Sequence, residues 1–338
     1  MADTDALDEL LSRPTPGAVE TMRRIEGDIL FLGVAGKMGP TMARMARRAS
    51  DEAGAKRRVI GVSRFSSVGV RESLETAGIE TIAGDLLSED FLQSLPGVEN
   101  VIFMAAHKFG STGNEPLAWA MNCFLPGMVA RRFWGSRIAA FSTGNVYPLV
   151  APESGGSTED VPAAPIGEYA MSCLGRERMF QYYCQAQGNP VVLLRLNYAC
   201  ELRYGVLVDI ALKVWRGEAI DLTTGYVNVL WQGDANAMSL QALGEARSPA
   251  AILNIAGPEI LRVRDVAEGF GRRFGKTPVL SGTEAPTAFL NDATRSHDLF
   301  GKPSVNVEAL MGWITAWVQS GGDLLGKPTH FQTRDGKF

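Results

Sequence analysis

Short, continuous apolar runs alternate with longer amphipathic stretches through the first part of the chain. The apolar runs are typical of strands and lie at 28–32, 59–62, 80–82, 101–104, 138–141 and 191–194. The stretches between them predict helices near 41–48, 71–77, 89–94, 117–133 and 169–187. Strands that are apolar throughout are buried on both faces, and strands that alternate with helices are joined by right-handed crossovers. The pattern therefore predicts an α/β fold built on a doubly wound parallel sheet.

The alternation loosens after residue 197. Residues 198–223 and 258–338 mix short elements with glycine and proline, whereas 228–255 keep the pattern of sheet and helix. We therefore predict an N-terminal extension over 1–26 and a main domain over 27–197 and 224–257. We predict that 198–223 and 258–338 form a smaller, discontinuous C-terminal substrate lobe with its tail. The polar, glycine-rich residues 321–338 are compatible with either a frayed end or a flap.

A glycine-rich turn joins the first predicted strand to the first helix. Gly33, Gly36 and Gly39 have the spacing Gly-x-x-Gly-x-x-Gly. The first glycine permits a tight turn, the second lets backbone approach a pyrophosphate, and the third allows close contact between helix and strand. The N–H groups at the start of the helix then face the phosphates. The strand–turn–helix context predicts a Rossmann dinucleotide site formed by these glycines with Lys37 and Met38.

The end of the second strand indicates which dinucleotide binds. NAD sites usually place Asp or Glu there for the ribose 2′-hydroxyl, whereas arginine accommodates a 2′-phosphate. This chain has Ser63 and Arg64 at that point and no carboxylate. A guanidinium pairs with phosphate and stacks on adenine, so we predict NADP, with NAD as the alternative. A solvated Arg64 is the other interpretation, because Lys56, Arg57 and Arg58 precede the strand.

Further motifs follow in a fixed order along the chain. They are Gly84-Asp85-Leu86, Ala105-Ala106-His107-Lys108, Asn122, Ser142-Thr143-Gly144-Asn145-Val146-Tyr147, Tyr169-Ala170-Met171-Ser172, Leu194-Arg195-Leu196-Asn197, Gly233-Asp234-Ala235 and Leu253-Asn254-Ile255-Ala256-Gly257. Through them, residues 28 to 319 resemble the NAD-dependent epimerase/dehydratase family, the extended short-chain dehydrogenases.

The resemblance implies an enzyme and a set of site residues. Tyr169 would be the catalytic acid/base, and Thr143 would hydrogen-bond the reacting oxygen of the substrate. The residues implied in cofactor binding beyond the glycine turn, Ser63 and Arg64 are Asp85, Leu86, Ala105, Ala106, Lys108, Tyr169 and Asn197. The implied activity is that of an NAD(P)-dependent oxidoreductase or epimerase. The family also implies a homodimer that forms through the predicted helices 117–133 and 169–187.

The catalytic helix departs from the family motif Tyr-x-x-x-Lys, because Cys173 stands four residues after Tyr169. These positions share one face of a helix, so the ammonium is missing beside the phenol. A tyrosine without a cation titrates near pH ~10 and is a poor base at neutral pH. A catalytically impaired NAD(P)-binding sensor or scaffold is therefore an alternative. Three interpretations of Lys108 remain open: it contacts the cofactor, it replaces the missing lysine as a cation near Tyr169, or it is simply exposed.

A second departure concerns the substrate. Val227 stands where nucleotide-sugar members of the family have an arginine that binds the substrate phosphate. Its absence favours a small sugar or sugar acid. A nucleotide-sugar epimerase remains a further alternative, which needs a substitute from Arg203, Arg216, Arg262 or Arg295.

Composition narrows the classes of partner. The net charge of −4 gives no reason to expect nucleic acid. No apolar run approaches the roughly 18 residues of a membrane span, and residues 1–20 lack the plan of a signal peptide. Four widely spaced cysteines and three histidines predict free thiols and no metal site. We expect a soluble, cytoplasmic protein whose partners are a small-molecule substrate and a second copy of the chain.

Overall fold

The computed structural model describes residues 3–108, 110–327 and 329–337. The outermost residues of the predicted extension and tail lie outside these ranges. The strands are β1 (Ile29–Leu32), β2 (Val59–Ser63), β3 (Glu80–Ala83), β4 (Asn100–Phe103), β5 (Arg137–Thr143), β6 (Val191–Leu196), β7 (Ala199–Cys200), β8 (Ala219–Asp221), β9 (Tyr226–Val227), β10 (Leu230–Trp231), β11 (Ala251–Ile255), β12 (Leu261–Arg262) and β13 (Val279–Ser281). The helices are α1 (Thr4–Leu11), α2 (Pro16–Arg24), α3 (Gly39–Glu52), α4 (Val70–Thr76), α5 (Glu89–Ser94), α6 (Glu115–Trp119), α7 (Leu125–Arg132), α8 (Gly167–Gln187), α9 (Val206–Arg216), α10 (Gln232–Gln241), α11 (Val263–Phe274), α12 (Thr294–Phe300) and α13 (Val307–Gln319).

A parallel sheet of seven strands forms the centre of the fold, in the order β3-β2-β1-β4-β5-β6-β11. Phe31 of β1 lies opposite Gly61 of β2 on one side and Ile102 of β4 on the other. The order reverses between β1 and β4, and dinucleotides bind in the crevice above such a reversal. The predicted doubly wound Rossmann fold is confirmed.

Helices cover both faces of this sheet because its strands are apolar on both sides. Helices α2, α3 and α10 pack on one face, and α5, α7 and α8 pack on the other. Phe31 belongs to the first layer and Phe103 to the second, and both are fully buried. Burying such a side chain stabilises the fold by roughly 1.5–3 kcal/mol.

The helix predicted over 117–133 is interrupted. Between α6 and α7 the chain makes a π-helical turn, Ala120–Phe124. Pro126, near the start of α7, has no N–H to donate to the carbonyl of Asn122 one turn earlier. Nε of Arg176, on α8, donates to that carbonyl instead, at 3.4 Å. Proline thus explains why a continuous α-helix does not form here.

The second lobe has its own core, formed mainly by α9, α11 and α13. The N-terminal extension joins both parts of the fold. Leu7 and Leu11 of α1 are buried in the core of the second lobe, while α2 packs on the main sheet. Asp8 accepts from Arg203 of the second lobe at 2.9 Å and lies 3.6 Å from Arg44 of α3. The extension is therefore a strap between the lobes.

The C-terminal tail packs along the second lobe. Thr329 donates to Asp209 of α9 through its N–H and its hydroxyl, at 2.9 and 2.6 Å. Phe331 is buried in the same core, and Arg334 donates to the Thr287 hydroxyl at 2.9 Å. Among the described residues, no helix combines the length and apolarity that crossing a bilayer requires.

Candidate active site

A cavity of about 270 Å³ opens at the carboxyl ends of the central strands. The glycine-rich turn after β1, the ends of β5 and β6 and the chain just beyond β4 line one part of it. The second lobe lines the rest, with Tyr198, Tyr204 and Gly205 and with Thr329 of the tail. Because ligands of open α/β sheets bind in this crevice, the cavity is the candidate active site.

The predicted site residues fall into two groups. The cavity is lined by Gly33, Gly36, Lys37, Met38, Ala106, Lys108, Thr143, Tyr169 and Asn197. Gly39 and Ala105 lie behind this lining, against the backbone of the glycine turn. The other four residues are not part of the lining and lie on the other side of β1. Ser63 ends β2, Arg64 follows it, and Asp85 and Leu86 follow β3. A dinucleotide that crosses the switch point would place its adenosine toward this second group.

The protein's own packing requires glycine at two of the three positions of the glycine turn. Gly33 has φ +93°, and a Cβ there would lie 2.7 Å from the Ala105 nitrogen. A Cβ on Gly39 would overlap the carbonyl group of Val34. At Gly36 a Cβ would touch only the Gly33 oxygen, at 3.4 Å. Glycine at position 36 is thus not required by the protein's own packing, and it leaves space above the turn.

Helix α3 begins at the end of this turn. Met38, at its N-cap, gives no side-chain hydrogen bond to the first N–H groups. Uncapped N–H groups and the positive end of the helix dipole are an anion-binding arrangement. The space above Gly36 and the uncapped helix start fit the pyrophosphate of a dinucleotide.

Arg64 stands apart from the basic residues that precede β2. Arg57 donates to the Met22 carbonyl at 2.7 Å, and Arg58 pairs with Asp28 at 2.7 Å, both at the start of the strand. Arg64 is exposed just beyond the end of the strand. It therefore lies on the side of the sheet where the ribose of an adenosine would be.

Thr143 and Tyr169 meet at the cavity. Thr143 is the last residue of β5, and Tyr169 lies in the first turn of α8; both are buried. Tyr169 lies beside Thr143 on the wall of the cavity and packs against Cys173. The two residues that the resemblance assigned to catalysis are thus adjacent, and Cys173 is beside the phenol as the helical spacing predicts.

The surroundings of Tyr169 favour the neutral phenol. Burial raises the pKa of Tyr169 well above its usual value, and the Cys173 sulfur adds to the rise. Arg176 and the hydrogen bond with Thr143 oppose it. Burial also raises the pKa of the Cys173 thiol, so this neighbour supplies no charge at neutral pH. The phenol is a poor base and a competent proton donor in this state.

Two cations lie close to this pair. Nζ of Lys108 is 5.5 Å from the centroid of the Tyr169 ring, and burial lowers the pKa of Lys108 to about 8. Arg176 is buried, donates to the Phe141 carbonyl at 2.6 Å and lines the cavity. Below about pH 8 the Lys108 ammonium is charged and, like the Arg176 guanidinium, favours the phenolate. Sequence reasoning missed Arg176; its signal is the spacing of seven residues from Tyr169, two turns along one helix face.

Asn122 fixes the segment that carries Lys108. Its amide oxygen accepts from the His107 N–H and its amide nitrogen donates to the His107 carbonyl, each at 2.9 Å. Nη2 of Arg176 donates to the same amide oxygen at 2.8 Å. The π-helical turn thereby ties the segment after β4 to α8. His107 acts here through its backbone.

A buried ion pair supports the site from behind. Arg195 of β6 pairs with Glu177 of α8 at 2.7 Å, and Ser142 Oγ donates to the same carboxylate at 2.6 Å. The Arg195 guanidinium lies 4.5 Å from the centroid of the Tyr147 ring. Ser142, Tyr147 and Arg195, all in motifs that carried the resemblance, therefore hold β5, β6 and α8 together.

Lys37 leaves the glycine turn and reaches the second lobe. Its Nζ donates to the Ala199 carbonyl at 2.8 Å and lies 3.7 Å from the centroid of the Tyr204 ring. The sequence placed Lys37 at the dinucleotide but gave no sign of this direction, because the approach of the two lobes depends on tertiary packing.

The second-lobe arginines named as phosphate binders are engaged elsewhere. Each pairs with a carboxylate of the protein: Arg203 with Glu201, Arg216 with Glu218, Arg262 with Glu284 and Arg295 with Asp160. None of them is among the residues that line the cavity. Val227 is fully buried in the core of the second lobe.

Solved structures similar to this one share the fold over most of the chain. UDP-glucose 4-epimerase from Thermotoga maritima, with UDP-glucose, is 18% identical with a TM-score of 0.71, covering 87% of this chain and 99% of that chain. UDP-glucuronic acid 4-epimerase from Bacillus cereus, with NAD, is 18% identical with a TM-score of 0.72 and the same coverage. dTDP-glucose 4,6-dehydratase from Bacillus anthracis, with NAD, is 15% identical with a TM-score of 0.72, covering 87% and 96%.

The sequence comparisons identify the family. A search of curated proteins gives no match. The model of the NAD dependent epimerase/dehydratase family matches residues 29–200, just over half of the 338 residues. This match includes the glycine turn, Thr143 and Tyr169, which the structure brings to one cavity. The chain belongs to the NAD dependent epimerase/dehydratase family.

Proposed function

We propose that this protein is an NAD(P)-dependent oxidoreductase or epimerase that acts on a small sugar or sugar-acid-like substrate. The observation that carries the proposal is the placement of Tyr169 and Thr143 together in a cavity that begins at the glycine turn. A bound nicotinamide ring supplies or accepts the hydride. The protein supplies the proton transfer and the orientation of the substrate.

The proposal gives each group a role. When a substrate hydroxyl is oxidised, Oη of Tyr169 takes its proton, and Thr143 Oγ1 hydrogen-bonds the same oxygen. In the reducing direction the phenol donates the proton. The high pKa of Tyr169 favours this second direction at neutral pH, since the phenol is then the prevailing form.

Two features support a small substrate rather than a nucleotide sugar. No arginine of the second lobe lines the cavity, and Val227 is buried in the core of that lobe. The solved neighbours with bound UDP-glucose and UDP-glucuronic acid are nucleotide-sugar enzymes, so a nucleotide sugar remains the alternative substrate class. For the cofactor, exposed Arg64 supports NADP, whereas the solved neighbours hold NAD.

A substrate panel tests the proposed function. Purified protein is incubated with NADP or NAD and with sugars, sugar acids and UDP-sugars. Nicotinamide absorbance reports net oxidation or reduction, and NMR of the sugar reports inversion at a carbon. Turnover of a free sugar or sugar acid supports the proposal, and turnover of UDP-sugars alone overturns it. Cofactor binding without any turnover from neutral to alkaline pH favours the alternative of a catalytically impaired NAD(P)-binding sensor. The neutral Cys173 and the high pKa of Tyr169 are the observations that support this alternative.

We also propose that the protein is a homodimer. Three large apolar side chains are exposed on the π-helical turn and α8: Phe124 (63%), Tyr182 (60%) and Met171 (45%). Exposed aromatic residues on neighbouring helices are typical of an interface. Sedimentation equilibrium at micromolar protein should give twice the chain mass, and Tyr182→Glu should shift the protein toward the monomer. A wild-type monomer at that concentration contradicts the proposal.

A further inference from the structure

Lys37 occupies an unusual position for a residue of a dinucleotide-binding turn. Its backbone belongs to the turn between Gly36 and Met38, but its ammonium is held on the second-lobe side by Ala199 and Tyr204. The main-chain N–H groups at the start of α3, which fit a pyrophosphate, have no side-chain cap. The ammonium therefore points across the cavity toward the second-lobe wall.

The charges that line the cavity are all positive. Its charged side chains are Lys37, Lys108 and Arg176, and no carboxylate of the described residues lines it. The carboxylates nearest to Lys37 are engaged elsewhere. Glu201 pairs with Arg203, and Asp209 accepts from Thr329.

The ammonium of Lys37 lacks a counter-ion among the described residues. No carboxylate there lies within ion-pair distance of its Nζ, and the Ala199 carbonyl accepts from one of its three N–H donors. Burial lowers the pKa of Lys37 to about 8, with the charge of Lys108 acting in the same direction and Cys200, Glu201 and Asp209 opposing it. A partly desolvated cation gains most from an anion that replaces its lost hydration.

We propose that Lys37 binds the carboxylate of the substrate and thereby selects a sugar acid over the corresponding neutral sugar. The inference rests on the proposed function and names its substrate class. The second-lobe arginines are paired with the protein's own carboxylates, so the cation for the substrate comes from the cofactor turn instead. Lys37 then contacts the cofactor through its backbone N–H and the substrate through its side chain.

The test compares Lys37→Met and Lys37→Arg with the wild type. The matched control is Lys276→Met, because Lys276 also donates to a backbone carbonyl and lies over a ring, that of Trp215 at 4.3 Å, outside the cavity. Calorimetry on protein saturated with NADPH measures binding of D-gluconate, D-glucuronate and D-galacturonate, of D-glucose and D-galactose, and of the 6-phosphates of both hexoses. NADPH affinity is measured separately for each variant.

We expect at least one sugar acid to bind wild type tenfold or more tightly than its neutral counterpart. Lys37→Met should abolish that ratio, Lys37→Arg should keep most of it, and Lys276→Met should leave it unchanged. NADPH affinity should change less than twofold. A preference that survives in Lys37→Met overturns the inference, and so does a tenfold loss of NADPH affinity, which would assign the ammonium to the pyrophosphate.

The remaining outcomes separate this inference from the proposed function. Binding of hexose phosphates alone overturns the carboxylate assignment. Equal binding and turnover of neutral sugars in wild type and Lys37→Met overturn the inference and leave the proposed function standing. If NADPH binds but no sugar, sugar acid or sugar phosphate binds or reacts, the inference and the proposed function both fail.

Discussion

At the glycine-turn end of the cavity, the chain keeps each backbone feature that dinucleotide binding requires. At the α8 end, Cys173 stands where the resemblance places a lysine. Burial raises the pKa of Tyr169 beside it well above the usual value, so the phenol stays protonated at neutral pH. The first end depends on positive φ, missing Cβ atoms and uncapped N–H groups. The α8 end depends on whether a positive charge lies about one helical turn from the phenol.

This difference shows why binding and catalysis can be lost separately in such a fold. Main-chain N–H groups persist whatever side chains surround them, so the proposed pyrophosphate site should tolerate substitution outside its glycines. A proton-transfer group is sensitive to every nearby charge, because each unit of pKa shift corresponds to about 1.4 kcal/mol. In this protein Lys108 and Arg176 bring charge back toward the phenol from the segment after β4 and from the next turns of α8.

The largest effect that we expect comes from Tyr169→Phe. Removal of the proton-transfer group should lower kcat roughly 10²- to 10⁴-fold, while NADPH binding stays within about twofold. Stopped-time product assays and cofactor fluorescence measure the two quantities on the same preparation. Tyr182→Phe on the exposed side of the same helix is the matched control and should keep full activity. If Tyr169→Phe retains activity, another group transfers the proton.

Gly36→Val tests the other end of the cavity. The added side chain fills the space where the pyrophosphate would lie, and overfilling a packed site costs about 1–3 kcal/mol. The dissociation constant of NADPH should rise roughly 10- to 100-fold, with the thermal unfolding midpoint little changed because no protein atom blocks the new Cβ. Gly97→Val, at an exposed glycine with open space around it, is the control. Unchanged NADPH affinity in Gly36→Val would place the pyrophosphate elsewhere.

The sequence predicted the main sheet and the glycine turn well, because strand apolarity and glycine spacing are local properties. Predicted and observed strands agree within one to two residues, from 28–32 against Ile29–Leu32 to 191–194 against Val191–Leu196. The break in the predicted helix 117–133 was missed because the prediction followed the amphipathic pattern and gave Pro126 no weight. The hydrogen bond that Arg176 donates at the break depends on tertiary packing.

The second-lobe side of the cavity was the least predictable part. Tyr204 and Thr329 reach it only because the second lobe and the tail fold back over the sheet. Lys37 was assigned to the cofactor from its place in the motif, and the direction of its side chain depends on Ala199, which is 162 residues away in the chain. Contacts of this range leave no periodic pattern in the sequence.

Arg64→Ala tests the adenosine end of the dinucleotide site. Wild type should bind NADPH more tightly than NADH, since a guanidinium at the end of β2 pairs with the 2′-phosphate. Because Arg64 is exposed, Arg64→Ala should cost NADPH binding about 1.5 kcal/mol, the lower end of the range for a hydrogen bond to a charged group. The preference for NADPH over NADH should therefore fall roughly tenfold. Arg71→Ala, at an exposed arginine paired with Glu75, is the control. Equal dissociation constants of wild type for the two cofactors contradict the NADP assignment.

The smallest expected effect is a shift of the pH profile in Cys173→Lys. Burial and the Cys173 sulfur raise the pKa of Tyr169, so the rate of substrate oxidation in wild type should still be rising well above neutrality. An ammonium at position 173 favours the phenolate and should lower the apparent pKa of the basic limb by roughly one unit, or up to tenfold in rate at neutral pH. Cys173→Ser changes no charge and should leave the profile where it is.

Substitution of Lys108 also tests whether nearby charge controls the pKa of Tyr169, and it introduces no long side chain into the buried face of α8. Lys108→Met removes a cation that is charged below about pH 8 and lies beside the Tyr169 ring, so oxidation at neutral pH should slow and the basic limb should move upward. In the double variant with Cys173→Lys, the new ammonium should restore most of the loss, provided that thermal unfolding shows a folded protein. If the wild-type rate is already maximal near neutral pH and neither single variant moves the limb, these charges do not control Tyr169. The proton transfer would then belong to a group whose ionisation does not depend on α8.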